Sequence, residues 1–236
     1  MLSNFIFESI DVEEFLQNLD QIKTQIEKIK YASEHLKKLG EGEGRIVFEL
    51  DDDRVIKLAK EKFGLSQNQS ENLTYEALES NNMEELVPEI FRRGKGYSYL
   101  VSEFARPATE SDFESLAGIS WDEFSSELEM YYSAYKHRIY EPLSGEDVNF
   151  SDLSAGTFSS KNEYEKWRAD ENQDPIIDED DDVRTPPEFI DKIIFIISQA
   201  GLMIGDLLYL EHYGVTKNNR LVLIDSGFSM SSAFSR

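Results

Sequence analysis

Leu39-Gly40-Glu41-Gly42-Glu43-Gly44-Arg45-Ile46-Val47-Phe48, then Asp51-Asp52-Asp53, then Arg54-Val55-Ile56-Lys57-Leu58, joins a glycine-rich turn to two apolar, β-branched runs. Residues 45–50 alternate and are rich in β-branched and aromatic side chains, the three aspartates make a turn, and residues 54–58 read as a second strand. The passage is therefore a β-hairpin entered through a glycine-rich turn. Glycines there let backbone amides come close to a phosphate, and a lysine pointing inward from the second strand would reach phosphate oxygens. Taken alone, neither feature decides anything. An ordinary turn also collects glycines, and a lysine on an alternating strand ordinarily faces solvent.

Working outward, residues 12–39 predict one helix, because Phe15, Leu16, Leu19, Ile22, Ile26, Ile29 and Leu36 recur at helical period. Asp11 is its expected N-cap, with Glu14 three residues on, and Gly40 its expected stop. After the hairpin, residues 70–81 predict a helix. Strands are expected at Phe91 and over residues 97–104, turning at Gly94-Lys95-Gly96. Residues 121–140 read as an aromatic-rich helix that includes Tyr131, Tyr132, Tyr135 and Tyr140. Residues 170–187, with the acidic run at 178–182, read as a solvated loop. A helix over residues 187–200 stops at Gly201, and Leu221-Val222-Leu223-Ile224-Asp225 reads as a buried strand.

Composition bounds the function. The 236 residues carry a formal charge of −23, with 40% hydrophobic and 12% aromatic residues and no cysteine. Disulfides, thiolate metal sites and cysteine nucleophiles are excluded. The apolar runs are too short for a membrane span, and no secretory leader is visible, so a cytoplasmic protein is expected. The charge repels nucleic acid and anionic membranes. It suits a protein partner with a basic surface, or a mimic of DNA, or simply solubility. His35, His137 and His212 are scattered, and no metal-binding spacing or Gly-x-Ser-x-Gly elbow occurs.

The chemistry-bearing residues come in a fixed order. Gly40 and Gly42 lie in the turn and Lys57 on the paired strand. Glu76, nineteen residues further on, is the candidate partner of Lys57, with Glu71 and Glu79 as rivals. Ile204-Gly205-Asp206 follows, and Asp225-Ser226-Gly227 leaves the last strand, where an aspartate is well placed to hold a divalent cation against phosphates.

This order resembles the protein-kinase family. Gly40 and Gly42 match the first two loop glycines, Val47 the following valine, Lys57 the strand lysine and Glu76 its helix partner. Residues 99–104 look like the strand entering the hinge. Asp206 matches the catalytic aspartate, and Asp225-Ser226-Gly227 matches Asp-Phe-Gly, nineteen residues later. The style also resembles kinase-like proteins of tailed bacteriophages, which would put the protein in host cytoplasm or virion. The resemblance implies an α+β, two-lobed kinase-like fold with a β-rich N-lobe and a reduced, mainly helical C-lobe. Residues 1–39 would be an N-terminal helical segment, 40–107 the N-lobe and 108–236 the C-lobe. It implies ATP and Mg as cofactors, Asp206 and Lys57 as catalytic residues, Gly40, Gly42, Lys57 and Glu76 for the nucleotide, and Asp225 with Glu211 for the metal.

The departures are specific. Arg45 stands where the third loop glycine belongs, and Glu41 and Glu43 put negative charge in the phosphate path. The histidine and arginine before the catalytic aspartate are missing, and the metal-binding asparagine has no clear equivalent, Glu211 being the available oxygen ligand. The chain ends eleven residues after Asp225, without the usual peptide-docking segment. These departures favour a pseudokinase or binding module. The retained residues keep open an ATP-dependent phosphotransferase acting on itself, a small molecule or a bound partner. The charge keeps open an acidic DNA mimic or inhibitor.

Overall fold

The computed structural model describes residues 11–129, 188–200 and 207–224. The second half of the expected 121–140 helix, the tyrosine group, the acidic loop, Asp206 and Asp225-Ser226-Gly227 lie outside the described residues. The chain divides into two compact units, Met1–Pro107 together with His212–Arg236, and Ala108–Glu211. The class is α+β.

The first unit is built on a five-stranded antiparallel sheet in the order β1-β2-β3-β5-β4. Its strands are β1 (Lys37–Glu41), β2 (Arg45–Glu49), β3 (Arg54–Ala59), β4 (Ile90–Arg93) and β5 (Tyr99–Glu103). The 45–58 hairpin forms as its alternation predicts, with Val47 opposite Lys57 and Phe48 opposite Ile56. A smaller antiparallel sheet joins β6 (Ala105–Pro107), β7 (Tyr213–Thr216) and β8 (Leu221–Leu223).

The expected single helix over 12–39 is instead two helices and a strand. α1 (Val12–Gln21) starts at Asp11, whose carboxylate accepts from the Glu14 amide at 3.1 Å. The chain turns extended at Ile22, and α2 (Gln25–His35) restarts at Thr24, whose hydroxyl accepts from the Glu27 amide and donates to its carboxylate at 2.7 Å. Apolar spacing runs on across this break, so periodicity alone conceals it, whereas the cap satisfies helix amides that would otherwise have no partner. Leu36 is extended, and the expected stop Gly40 lies inside β1, an edge strand with almost no buried residue.

Strand alternation divides the sheet into two faces. On one, Ile46, Phe48, Ile56, Leu58, Tyr99 and Val101 form a buried cluster with Phe15, Leu16 and Leu19 of α1 and Ala32 of α2. Burying each of the larger side chains contributes about 1.5–3 kcal/mol relative to exposure. Polar bonds fix the cover. The Tyr99 hydroxyl donates to Asp20 at 2.8 Å, Arg92 reaches the same carboxylate at 2.7 Å, and the Gln25 amide donates to the carbonyls of Ala59 and Ser98. The opposite face carries Arg45, Val47 and Lys57, and α3 (Lys62–Glu79) bonds to it.

In the second unit, α4 (Glu110–Ala117) opens with a capping box between Thr109 and Asp112 and ends at Gly118, whose φ is 72°. Gly118 there adopts the left-handed conformation that terminates helices. The helical run over residues 121–129 and the helix Glu188–Ala200 share an aromatic cluster with α4, in which Phe113 lies 4.9 Å from Phe124, 5.1 Å from Trp121 and 5.5 Å from Phe189. Among the described residues no helix is long and apolar enough to cross a membrane.

Candidate functional site

Lys57 sits in the middle of β3, flanked by Val47 of β2 and Leu100 of β5. Its residue is 6% exposed, so its ammonium needs partners. It has two. Nζ donates to one carboxylate oxygen of Glu71 and, at 3.1 Å, to the carbonyl of Ile224, the residue preceding Asp225 in the chain. The lysine strand, the glutamate helix and the end of the last described strand thus meet at one nitrogen.

Glu71, not Glu76, is the partner of Lys57. Five residues along an α-helix rotate the side chain by about 140° net, so 71 and 76 cannot face the same strand. Glu76 lies on the exposed side of α3, accepts from Asn72 at 2.8 Å and comes within 3.5 Å of Arg93. The spacing of nineteen fails because α3 begins at Lys62, eight residues before the expected start at 70, which brings an earlier glutamate onto the sheet-facing side.

The second oxygen of Glu71 accepts from Arg45, so one carboxylate is shared by two cations. Asn68, fully buried one turn earlier, ties this triad to its surroundings. Its side-chain amide donates to the Tyr97 carbonyl at 2.9 Å and the Lys57 carbonyl at 3.3 Å, and its oxygen accepts from Arg45 at 3.4 Å. Burial pushes the Glu71 carboxyl up. The charges of Lys57 and Arg45 and their hydrogen bonds outweigh this, so it lies below the usual carboxylate value and stays ionised at neutral pH.

In the sequence Arg45 reads only as the start of a strand and as a departure at a glycine position. A signal for it was present, because Arg45 stands two residues from Val47, which pairs with Lys57. Alternation therefore puts Arg45 and Lys57 on one face.

The turn glycines differ in role. A Cβ added at Gly40 or Gly42 meets nothing within 4 Å, so packing does not require glycine at either position and space for a ligand remains above them. Gly44 and Gly64 are different. A Cβ at Gly64 would collide with the Gly44 carbonyl, and one at Gly44 with Gln67 and Phe63. These two glycines set the close approach of the turn to the start of α3. The Glu41 carboxylate is held by Lys38 at 2.5 Å and Lys60 at 2.7 Å, and those hydrogen bonds lower its pKa to about 2. Its charge is therefore offset locally. Glu211 is exposed in the turn Leu210–His212, in the second unit. Among the described residues no group of three or more His, Asp or Glu side chains could hold a metal ion.

No protein-family profile matches the chain. No curated protein matches it either. Among solved structures it is similar to the streptomycin–ATP complex of the aminoglycoside phosphotransferase APH(2")-IIa, at 15% identity and a TM-score of 0.35, over 88% of this chain and 72% of that one. It is similar to ADP-bound aminoglycoside phosphotransferase APH(2'')-Ib, at 15% identity and a TM-score of 0.36, over 93% and 71%. It is also similar to choline kinase LicA from Streptococcus pneumoniae, at 17% identity and a TM-score of 0.34, over 87% and 69%.

Proposed function

We propose that the chain is a kinase-like nucleotide-binding protein in which Lys57, oriented by Glu71, receives the phosphates. The observation that carries this reading is the buried Lys57–Glu71 pair formed between β3 and α3, with Lys57 also on the Ile224 carbonyl. A strand lysine held by a helix glutamate is the phosphate-orienting arrangement of kinases. The open space at Gly40 and Gly42 fits a nucleotide lying against the turn. Asp225, next in sequence to Ile224, would hold Mg, which neutralises phosphate charge and lets a chain of net charge −23 accept an anionic nucleotide.

The missing histidine and arginine before Asp206 favour use of the fold as a binding module, with a basic-surfaced protein as the proposed partner. A second reading, phosphoryl transfer to the protein itself, a small molecule or a bound partner, is favoured by the pair being fully assembled. Asp206 would then orient the acceptor hydroxyl. Calorimetry with MgATP on wild type, Lys57→Met and Asp225→Ala tests the proposal. Binding by wild type that is lost or weakened in both variants supports it, and equal binding by all three overturns it. Phosphate incorporation dependent on Asp206 would select the second reading.

A further inference from the structure

We propose that Arg45 is a positioning residue that keeps Glu71 charged and α3 docked when Lys57 turns toward a phosphate. The inference deepens the proposed role of Lys57 and rests on it. A lysine that must both hold a buried carboxylate and bind a phosphate faces a conflict. Glu71 is 4% exposed, and if its only cation left for a ligand it would remain as a buried charge without compensation. Here its two oxygens are divided, one to Lys57 and one to Arg45. Lys57 can shift while Glu71 stays ion-paired.

Arg45 is built for a fixed task rather than for ligand capture. It is 8% exposed, it starts β2 opposite Ala59, and its guanidinium also meets Asn68 at 3.4 Å. Asn68 in turn bonds the Lys57 and Tyr97 carbonyls, so the guanidinium is anchored to β3 and to the β4–β5 connection as well as to α3. A planar donor set with no competing proton equilibrium near neutral pH suits such a clamp better than a second lysine would. The sequence departure at the third glycine position thereby acquires a role. The chain gives up a flexible glycine and gains a fixed cation on the glutamate helix.

The consequence is a change of sign. With Arg45 present, nucleotide binding and α3 docking are compatible. Without it, phosphate and Glu71 compete for Lys57, and a ligand should loosen the helix. Hydrogen exchange of the full chain, followed over α3 with and without MgATP, reads this directly in wild type, Arg45→Gln and Arg45→Lys. Ligand-free Arg45→Gln should exchange about tenfold faster over α3, with the lysine variant intermediate. MgATP should protect α3 in wild type and accelerate its exchange in Arg45→Gln. Unchanged ligand-free exchange in Arg45→Gln overturns the proposal, and so does MgATP protection of that variant equal to wild type. If Arg45→Gln fails to fold, Arg45→Lys decides. Ligand-free exchange over α3 faster than in wild type supports the clamp, and exchange equal to wild type overturns it. Wild type that binds no MgATP removes the proposed function, while the ligand-free exchange still decides whether Arg45 holds α3.

Discussion

Replacing Glu71 with glutamine should be the most damaging neutral-for-charged change in the first unit. The substitution keeps the shape and removes the charge that compensates two cations, Lys57 at 6% exposure and Arg45 at 8%. Lys57 still meets the Ile224 carbonyl and Arg45 the Asn68 oxygen, both weaker partners than a carboxylate. Breaking a buried ion pair from one side costs about 3–5 kcal/mol, and that range is expected here. Lys57→Met should cost less, about 1–3 kcal/mol, because Glu71 keeps Arg45. The double variant should cost less than the sum of the singles, with a coupling of about 1–3 kcal/mol.

The contribution also depends on pH, with a defined sign. Glu71 lies below its reference value of 4.5 in the folded chain, so its contribution is present above about that pH and is lost as pH falls through the lower folded value. The stability gap between wild type and Glu71→Gln should therefore close on acidification. Urea unfolding by circular dichroism at neutral and acid pH provides the numbers. A larger cost for Lys57→Met than for Glu71→Gln, or additive costs, would refute the shared carboxylate.

Three further perturbations follow from the packing. Gly64→Ala sets helix propensity, which gains about 1 kcal/mol, against a collision with the Gly44 carbonyl that backbone cannot easily relieve, so net destabilisation of about 2 kcal/mol is expected. Gly42→Ala, with open space around it, should change unfolding by less than about 0.5 kcal/mol while weakening nucleotide binding. Tyr99→Phe removes the 2.8 Å bond to Asp20 and should cost about 1–2 kcal/mol in chemical unfolding, leaving Arg92 as the remaining link from the sheet to that carboxylate.

The hairpin at 45–58 was legible from the alternation of 45–50 and the β-branched residues beyond the three-aspartate turn, and the last strand from its continuous apolar run, Leu221 to Ile224. The helix Glu188–Ala200 showed in its run of isoleucines and phenylalanine. The first half of α3 was not legible. Its buried residues include Gln67, Asn68, Ser70, Glu71, Asn72 and Thr74, side chains that normally signal loop or solvent. Among them Asn68 and Glu71 meet Arg45, Lys57 and the Lys57 and Tyr97 carbonyls, so a hydrophobic period fails where the packed face is polar. Glu71 stood in the sequence only as a rival of Glu76, because its burial comes from polar contacts with Lys57 and Arg45 rather than from an apolar period. The break between α1 and α2 escaped because the apolar spacing continues through it, and only the Thr24 cap marks it.

The proposed meeting of Lys57 with nucleotide phosphate is open to a direct chemical test. An acyl-phosphate derivative of ATP transfers its acyl group to a lysine amine lying beside the bound phosphates, and peptide mass spectrometry then locates the label. Acylation at Lys57, suppressed by excess MgATP and absent in a folded Lys57→Met variant, is the expected result. Label confined to exposed lysines such as Lys30 or Lys37, insensitive to MgATP, would contradict it.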